Sequence, residues 1–286
     1  MHSSSYVVLK NLLQQDTALL QEADNFLSKK SQSALKNAPL VKTAFKAEQF
    51  DMTNLLEEVH YSWLLPIFQK ISKQELPFFL AALKKKITLK IKKNLKEENH
   101  LPILSPLAAE YLKRTLVSNL LENYKALLPK EYLPDSSLTP LLNLNKKELI
   151  ELINSLALFD LAKEYFKIIN KETLEKLDAF LSKKEKLFLK GKRHYQDGLA
   201  LKPLNLDKFT GNALALKALL HKRGLMRLSK ALTLHYFDFI WHLAHTLDIG
   251  RGQVLLELTK QKESQKIANV CQNNILELLP FIKREA

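Results

Sequence analysis

The first 190 residues of this chain contain no glycine; all six glycines lie between Gly191 and Gly252. A fold that needs tight primed hairpins or phosphate-cradling loops has no material for them over that stretch. Leucine, lysine, alanine and glutamate dominate instead, and all are good helix formers. The class this implies is all-α.

Within that helical composition one stretch returns. Ile71, Lys73, Leu76, Ala81, Leu83 and Lys85 recur at the same spacing as Ile169, Lys171, Leu174, Ala179, Leu181 and Lys183. Backwards, Leu55, Val59, Trp63, Ile67 and Phe68 stand opposite Ile153, Ala157, Leu161, Tyr165 and Phe166. A helix, a capped turn and a second helix occurring twice is how helical repeat proteins are built. The expected architecture is therefore armadillo- or HEAT-like stacked helix pairs with a C-terminal helical bundle. The expected segments are an N-terminal amphipathic helix and loop over 1–45, a repeat body over 46–190, an ordered linker over 191–212 and a bundle over 213–286.

Local signals predict the elements. Apolar spacing predicts one helix over 6–30, then a loop from Ser31 to Ala38. Asp51 or Asn54, with Glu57 three residues beyond Asn54, is the candidate cap of a helix striped by Leu55, Val59, Trp63 and Ile67, which Pro66 kinks or ends. Ser72 and Glu75 form a capping box for a helix that buries Leu76, Phe79, Leu80 and Leu83 and ends in lysines. Ser105-Pro106 opens another helix. Prolines 129, 134 and 140 mark a loop. Asn145 with Glu148 caps a helix over 149–158; 160–169 follows, and the echo helix starts after Asn170. Beyond the linker, Gly224 is expected to end a helix from Ala213, a long helix is expected over 225–247, and Gly250-Arg-Gly252 reads as a turn before helices over 253–260 and 264–282.

The formal net charge is +14. A dense basic run, Lys84, Lys85, Lys86, Lys90, Lys92 and Lys93, is echoed by Lys183, Lys184 and Lys186. Such lysines are a solvated helix end, a docking face for an acidic protein, or a phosphate track. Only six of the 44 basic residues are arginine, the residue suited to bidentate phosphate and guanine contacts, which favours a protein partner over nucleic acid. Cys271 is the only cysteine, so no intramolecular disulfide forms, and a reducing compartment is expected. The start lacks the order of a signal peptide and no apolar run reaches the roughly 20 residues of a membrane span. The expected location is cytoplasmic, peripheral to the inner membrane only through partners.

His235, Asp238, His242 and His245 are spaced to share one helical face and could offer two or three ligands to zinc. One helix rarely closes a metal site, and His-Glu-x-x-His is absent, so a polar packing face is the favoured reading and no cofactor is implied. Cys271 lies among Ile267, Val270, Ile275 and Leu278 as a buried thiol would. No nucleophile elbow, paired acidic motif or Cys–His signature stands out, and the chain reads as a non-enzyme.

Stacked two-helix units with a separate C-terminal bundle resemble the armadillo-like architecture of the flagellar switch protein family FliG. They also resemble the SctK family of type III secretion sorting-platform adaptors. Tyr236-Phe237-Asp238-Phe239 is similar to the Met-Phe-x-Phe hinge of FliG proteins, with tyrosine for methionine, and the lysine- and leucine-heavy composition is similar to that of chlamydial proteins. The resemblance implies an adaptor joining a membrane ring to other proteins of a cytoplasmic assembly, with Phe237 and Phe239 as a hinge. The chain departs from FliG in lacking a Glu-His-Pro-Gln segment and glycine-rich loops.

Overall fold

The computed structural model describes residues 3–13, 27–39, 41, 52–98, 100–122, 124, 127–199, 202–206, 209, 211–261 and 263–282. Among them are fourteen α-helices, with short 3-10 turns and no strand, so the protein is all-α. The chain divides into two compact units that interleave along it: residues 1–136 with 236–252, and residues 137–235 with 253–286. The expected segments 46–190 and 213–286 therefore do not each coincide with one unit.

The first unit begins with two helices packed on each other, α1 (Ser3–Leu13) and α2 (Lys29–Asn37). Val7, Leu13 and Leu35 are buried, and Tyr6 Oη donates to Ser31 Oγ at 3.2 Å. The expected loop over 31–38 is thus largely helix: Ser28 accepts from Ser31 N at 3.3 Å and caps it. Residues 14–26 of the expected first helix, and the candidate cap Asp51, lie outside the described residues.

Next come α3 (Leu55–Glu58), α4 (Leu65–Phe68), α5 (Leu76–Ala81), α6 (Lys85–Leu95) and α7 (Pro106–Leu120). The expected single stripe from Leu55 to Ile67 is split in two, with a 3-10 turn at Tyr61–Trp63 between the halves. Pro66 explains the split. Inside a continuous helix its ring would clash with the Ser62 carbonyl, and it falls in the first turn of α4, where its missing N–H is no loss. Asn54 precedes α3 without a side-chain cap. Ser72 and Glu75 do bond to one another, but regular helix starts only at Leu76, beside Pro77. Ser105 caps α7 as expected, accepting from Ala108 N with Pro106 at the first helical position.

The centre of this unit is α12 (Phe237–Thr246), in which every residue from Asp238 to His245 is buried. Its Trp241 joins Leu56, Leu64, Phe68, Leu80, Ile91 and Leu116 in one apolar cluster. Trp63 packs from the opposite direction: its ring stacks on His245 at 3.9 Å and its Nε1 donates to Leu247 O at 2.9 Å. Gly252 admits this packing, because a Cβ there would stand 2.4 Å from Ala244 O and 2.5 Å from the Trp63 ring. The Gly250-Arg-Gly252 turn is accordingly replaced by the first residues of α13 (Ile249–Thr259).

The second unit is organised by α8 (Lys146–Tyr165), one continuous helix where two were expected. Asn145 and Glu148 form the full reciprocal cap. From Leu156 to Ala162 every residue is buried, as in a helix enclosed on all sides. Against α8 pack α10 (Lys183–Gly191), α11 (Ala213–Leu232) and α14 (Gln265–Ile282); α9 (Lys171–Phe180) is capped by Asn170. Gly224 does not end α11 but lies inside it, at the crossing with α8: a Cβ would meet the Ile153 carbonyl oxygen at 1.7 Å. The expected long helix over 225–247 is interrupted at Thr233–Tyr236.

Candidate functional site

The first lysine run is divided between the two ends of one helix: Lys92 and Lys93 lie in the last turn of α6, while the paired lysines of both runs stand at helix starts. The chain breaks at Leu83 and Lys84, so Lys85 and Lys86 form the first turn of α6; likewise Lys183 and Lys184 open α10. The two helices start at matching positions of the echo. Cations at an exposed helix N-terminus oppose the macrodipole, typically by about 0.3–1 kcal/mol each. The dipole therefore does not account for the paired lysines, although it does favour Lys92 and Lys93 in the last turn of α6. Glu185 in the first turn of α10 offsets part of the charge, whereas α6 has no acid in its first turn.

Each helix is anchored by one face and leaves another bare. In α6, Ile91 is buried, and Thr88 Oγ1 donates to Leu80 O at 3.0 Å and to Lys84 O at 3.2 Å, tying the helix to α5. In α10 the matching anchor is Leu189, and Ser182 with Glu185 forms a reciprocal cap. On the outer faces, one turn after the paired lysines, stand Leu89 and Leu187, 58% and 72% exposed. They too occupy matching positions.

The other expected lysines behave differently. Lys84 forms an ion pair with Glu57, Lys90 lies over the Tyr61 ring at 5.3 Å, and Lys92 is half-buried. Lys85, Lys86, Lys93 and Lys183 are exposed and have no carboxylate partner among the described residues. Lys184 is exposed and Lys186 is half-buried. The structure thus reduces each run to a Lys-Lys-x-x-Leu face.

The His/Asp constellation does not gather. His235 precedes α12 and lies 3.3 Å from Gln272 Nε2. Asp238 is buried in the first turn of α12. His242 Nε2 donates to Leu128 O at 2.7 Å, while His245 Nδ1 donates to Trp241 O at 2.8 Å and its ring lies between Trp63 and Trp241. Burial lowers the pKa of all three histidines, His242 to about 4 and His245 to about 3, with neighbouring His242 lowering His245 further. No group of three or more His, Cys, Asp or Glu suited to a metal forms among the described residues. Phe237 is exposed by nearly half and stacks on Tyr124, whereas Phe239 is buried.

A Ser–His pair also occurs: Ser62 Oγ lies 2.8 Å from His60 Nδ1. Ser62 is buried and accepts from Ile249 N, and His60 caps the turn at Tyr61, so the pair serves the backbone. Cys271 is buried, which raises its thiol pKa to about 11 and leaves it protonated.

The polar group that sequence reading missed is Arg227. Its guanidinium is fully buried and bidentate on Asp160, with Nε to Oδ2 at 3.0 Å and Nη2 to Oδ1 at 2.6 Å; Nη2 also reaches Asp197 Oδ2 at 2.6 Å and Nη1 Asn274 Oδ1 at 2.8 Å. Lys163 bridges both carboxylates, and Asn274 Nδ2 donates to Tyr195 Oη at 2.9 Å. Burial opposes the charge of Arg227, but the two carboxylates outweigh it and raise its pKa. Burial likewise pushes Asp197 up, yet Lys163, the Leu199 N–H and Arg227 hold its carboxyl below the usual range. The available signal was Asp160 inside an apolar helical run.

No protein-family model, curated protein or solved structure matches this chain. Among the described residues, no helix is long and apolar enough to cross a membrane.

Proposed function

We propose that this protein is a non-enzymatic adaptor that binds other proteins of a cytoplasmic assembly through the lysine-flanked leucines of α6 and α10. One observation carries the reading: Lys85, Lys86 and Leu89 of α6 recur as Lys183, Lys184 and Leu187 of α10, exposed in both. Neither the dipole nor the core calls for them there. Their chemistry suits a partner presenting carboxylates around an apolar residue.

The equivalent starts of α6 and α10 also support the armadillo- or HEAT-like repeat. Against strict repetition stands the contrast between split α3 and α4 and continuous α8. The chain crosses from the second unit to the first between His235 and Tyr236, immediately before Phe237 and Phe239, which supports a hinge there. On this reading the assembly is a bacterial type III secretion or flagellar-type apparatus, with membrane-ring components among the partners.

The test is affinity capture from the native cell, comparing the natural chain with a Lys85→Glu, Lys86→Glu, Lys183→Glu, Lys184→Glu variant. The variant is expected to melt at the same or a somewhat higher temperature, because acids replace bases at two helix starts, and to lose the partner. Unchanged capture ends the assignment. The second reading, a helical-repeat nucleic-acid binder, rests on the same lysines. It requires oligonucleotide binding whose logarithm falls steeply with salt. The exposed leucine one turn beyond each lysine pair, and the scarcity of arginine, favour the protein partner.

A further inference from the structure

Beside the Arg227 network lies a pocket of about 370 Å³. That is within the size range of small-molecule sites, roughly 300–1,000 Å³. Lys163, Phe166, Lys167, Arg193, Tyr195 and Asp197 line it. The lining is electrostatically lopsided. Its one carboxylate, Asp197, is saturated: Oδ2 accepts from Arg227, and Oδ1 accepts from Lys163 and from Leu199 N at 3.0 Å. Arg227 and Lys163 together balance Asp160 and Asp197, so the floor is neutral. Lys167 and Arg193 are left over. Both are exposed, and neither has a carboxylate partner among the described residues. Arg193 is held over the Phe166 ring, 5.7 Å from its centre, which presents a guanidinium beside an apolar wall.

The floor is also unusually well fixed. A buried Arg–carboxylate network contributes little net stability, because desolvation offsets the Coulombic gain. Its geometric effect is specific, however: it anchors the Asp197 carboxylate, and Asn274, held by Arg227, anchors Tyr195. These are two residues of the pocket itself. Burial raises the Tyr195 phenol to about 12, so it stays a neutral donor.

We infer that this pocket binds a small molecule bearing an oxyanion, a phosphate or a carboxylate, between Lys167 and Arg193. The site shares no residue with the α6 and α10 faces, so the inference does not rest on their partner.

Inorganic phosphate, pyrophosphate and acetate are the probes, titrated into the full chain by calorimetry and by amide shifts of residues 162–167 and 193–199, the two segments that line the pocket. The expected result is saturable binding of at least one probe, with the shifts confined to those two segments. Phosphate or pyrophosphate binding identifies a phosphoryl ligand; acetate alone identifies a carboxylate. Lys167→Ala with Arg193→Ala is expected to weaken binding by about tenfold or more, the scale of losing charge-assisted contacts. Lys70→Ala with Lys73→Ala, which removes the same charge from exposed positions outside the pocket, should leave it unchanged. An equal loss in both variants would assign the binding to general surface charge and overturn the inference, as would no binding by any probe. Both variants alter exposed side chains and should melt like the natural chain.

Discussion

At the scale of single residues, glycine has two meanings here that share one local sequence signature. Gly224 follows Lys222-Arg223 as a terminating glycine would, yet it is where α11 meets α8, with no room for a Cβ beside the Ile153 carbonyl. Gly191, at the end of α10, meets nothing within 4 Å. Gly224→Ala is expected to destabilise the protein by at least the roughly 1–3 kcal/mol of overpacking, because the obstacle is backbone. Gly191→Ala is expected to be neutral or stabilising by up to about 1 kcal/mol. Paired urea denaturation curves check both; equal midpoints would mean that α8 and α11 do not approach so closely. The caps were more legible: Ser105-Pro106, Asn145 with Glu148 and Asn170 all act as their residue types suggest, because a cap is decided within four residues. Arg227 was not legible, since its partners Asp160, Asp197 and Asn274 are distant in the chain.

Among the elements, the echo reproduces positions but not shapes. Pro66 breaks the first copy, while Glu164 at the matching place lets α8 run on. The interruption at Thr233–Tyr236 carries no glycine or proline and could not be read locally. The enclosed helix α12 has a consequence for acid stability. His242 and His245 are each 3% exposed, with folded pKa values near 4 and 3 against an ordinary 6.5. At neutral pH they are uncharged in both folded and unfolded chains and contribute no pH dependence. Below about pH 6.5 the unfolded chain gains protons that the folded chain refuses, so stability falls with pH until the folded pKa values are reached. The limiting slope is about 1.4 kcal/mol per pH unit for each histidine. Chemical denaturation between pH 7 and 5 is expected to show this loss, and His242→Gln should flatten it. An unchanged slope in that variant would place the proton uptake elsewhere.

For the whole molecule, class was the most accessible property, because missing glycine and abundant helix formers act everywhere along the chain. The division into units was not, since residues 236–252 return to the unit that the first 136 residues began. That return sets an order of events during synthesis. Ribosomes deliver the chain from its N-terminus at roughly 5–20 residues per second, and domains contiguous in sequence can close as they emerge. Here Leu56, Leu64, Phe68, Leu80 and Leu116 leave the ribosome well before Trp241, which joins them in one apolar cluster. A nascent chain stalled after His235 is therefore expected to remain protease-sensitive through residues 52–120, and one stalled after the tunnel has cleared Gly252 to resist. Until α12 arrives, that apolar surface is an obligate client for whatever escorts unfinished chains.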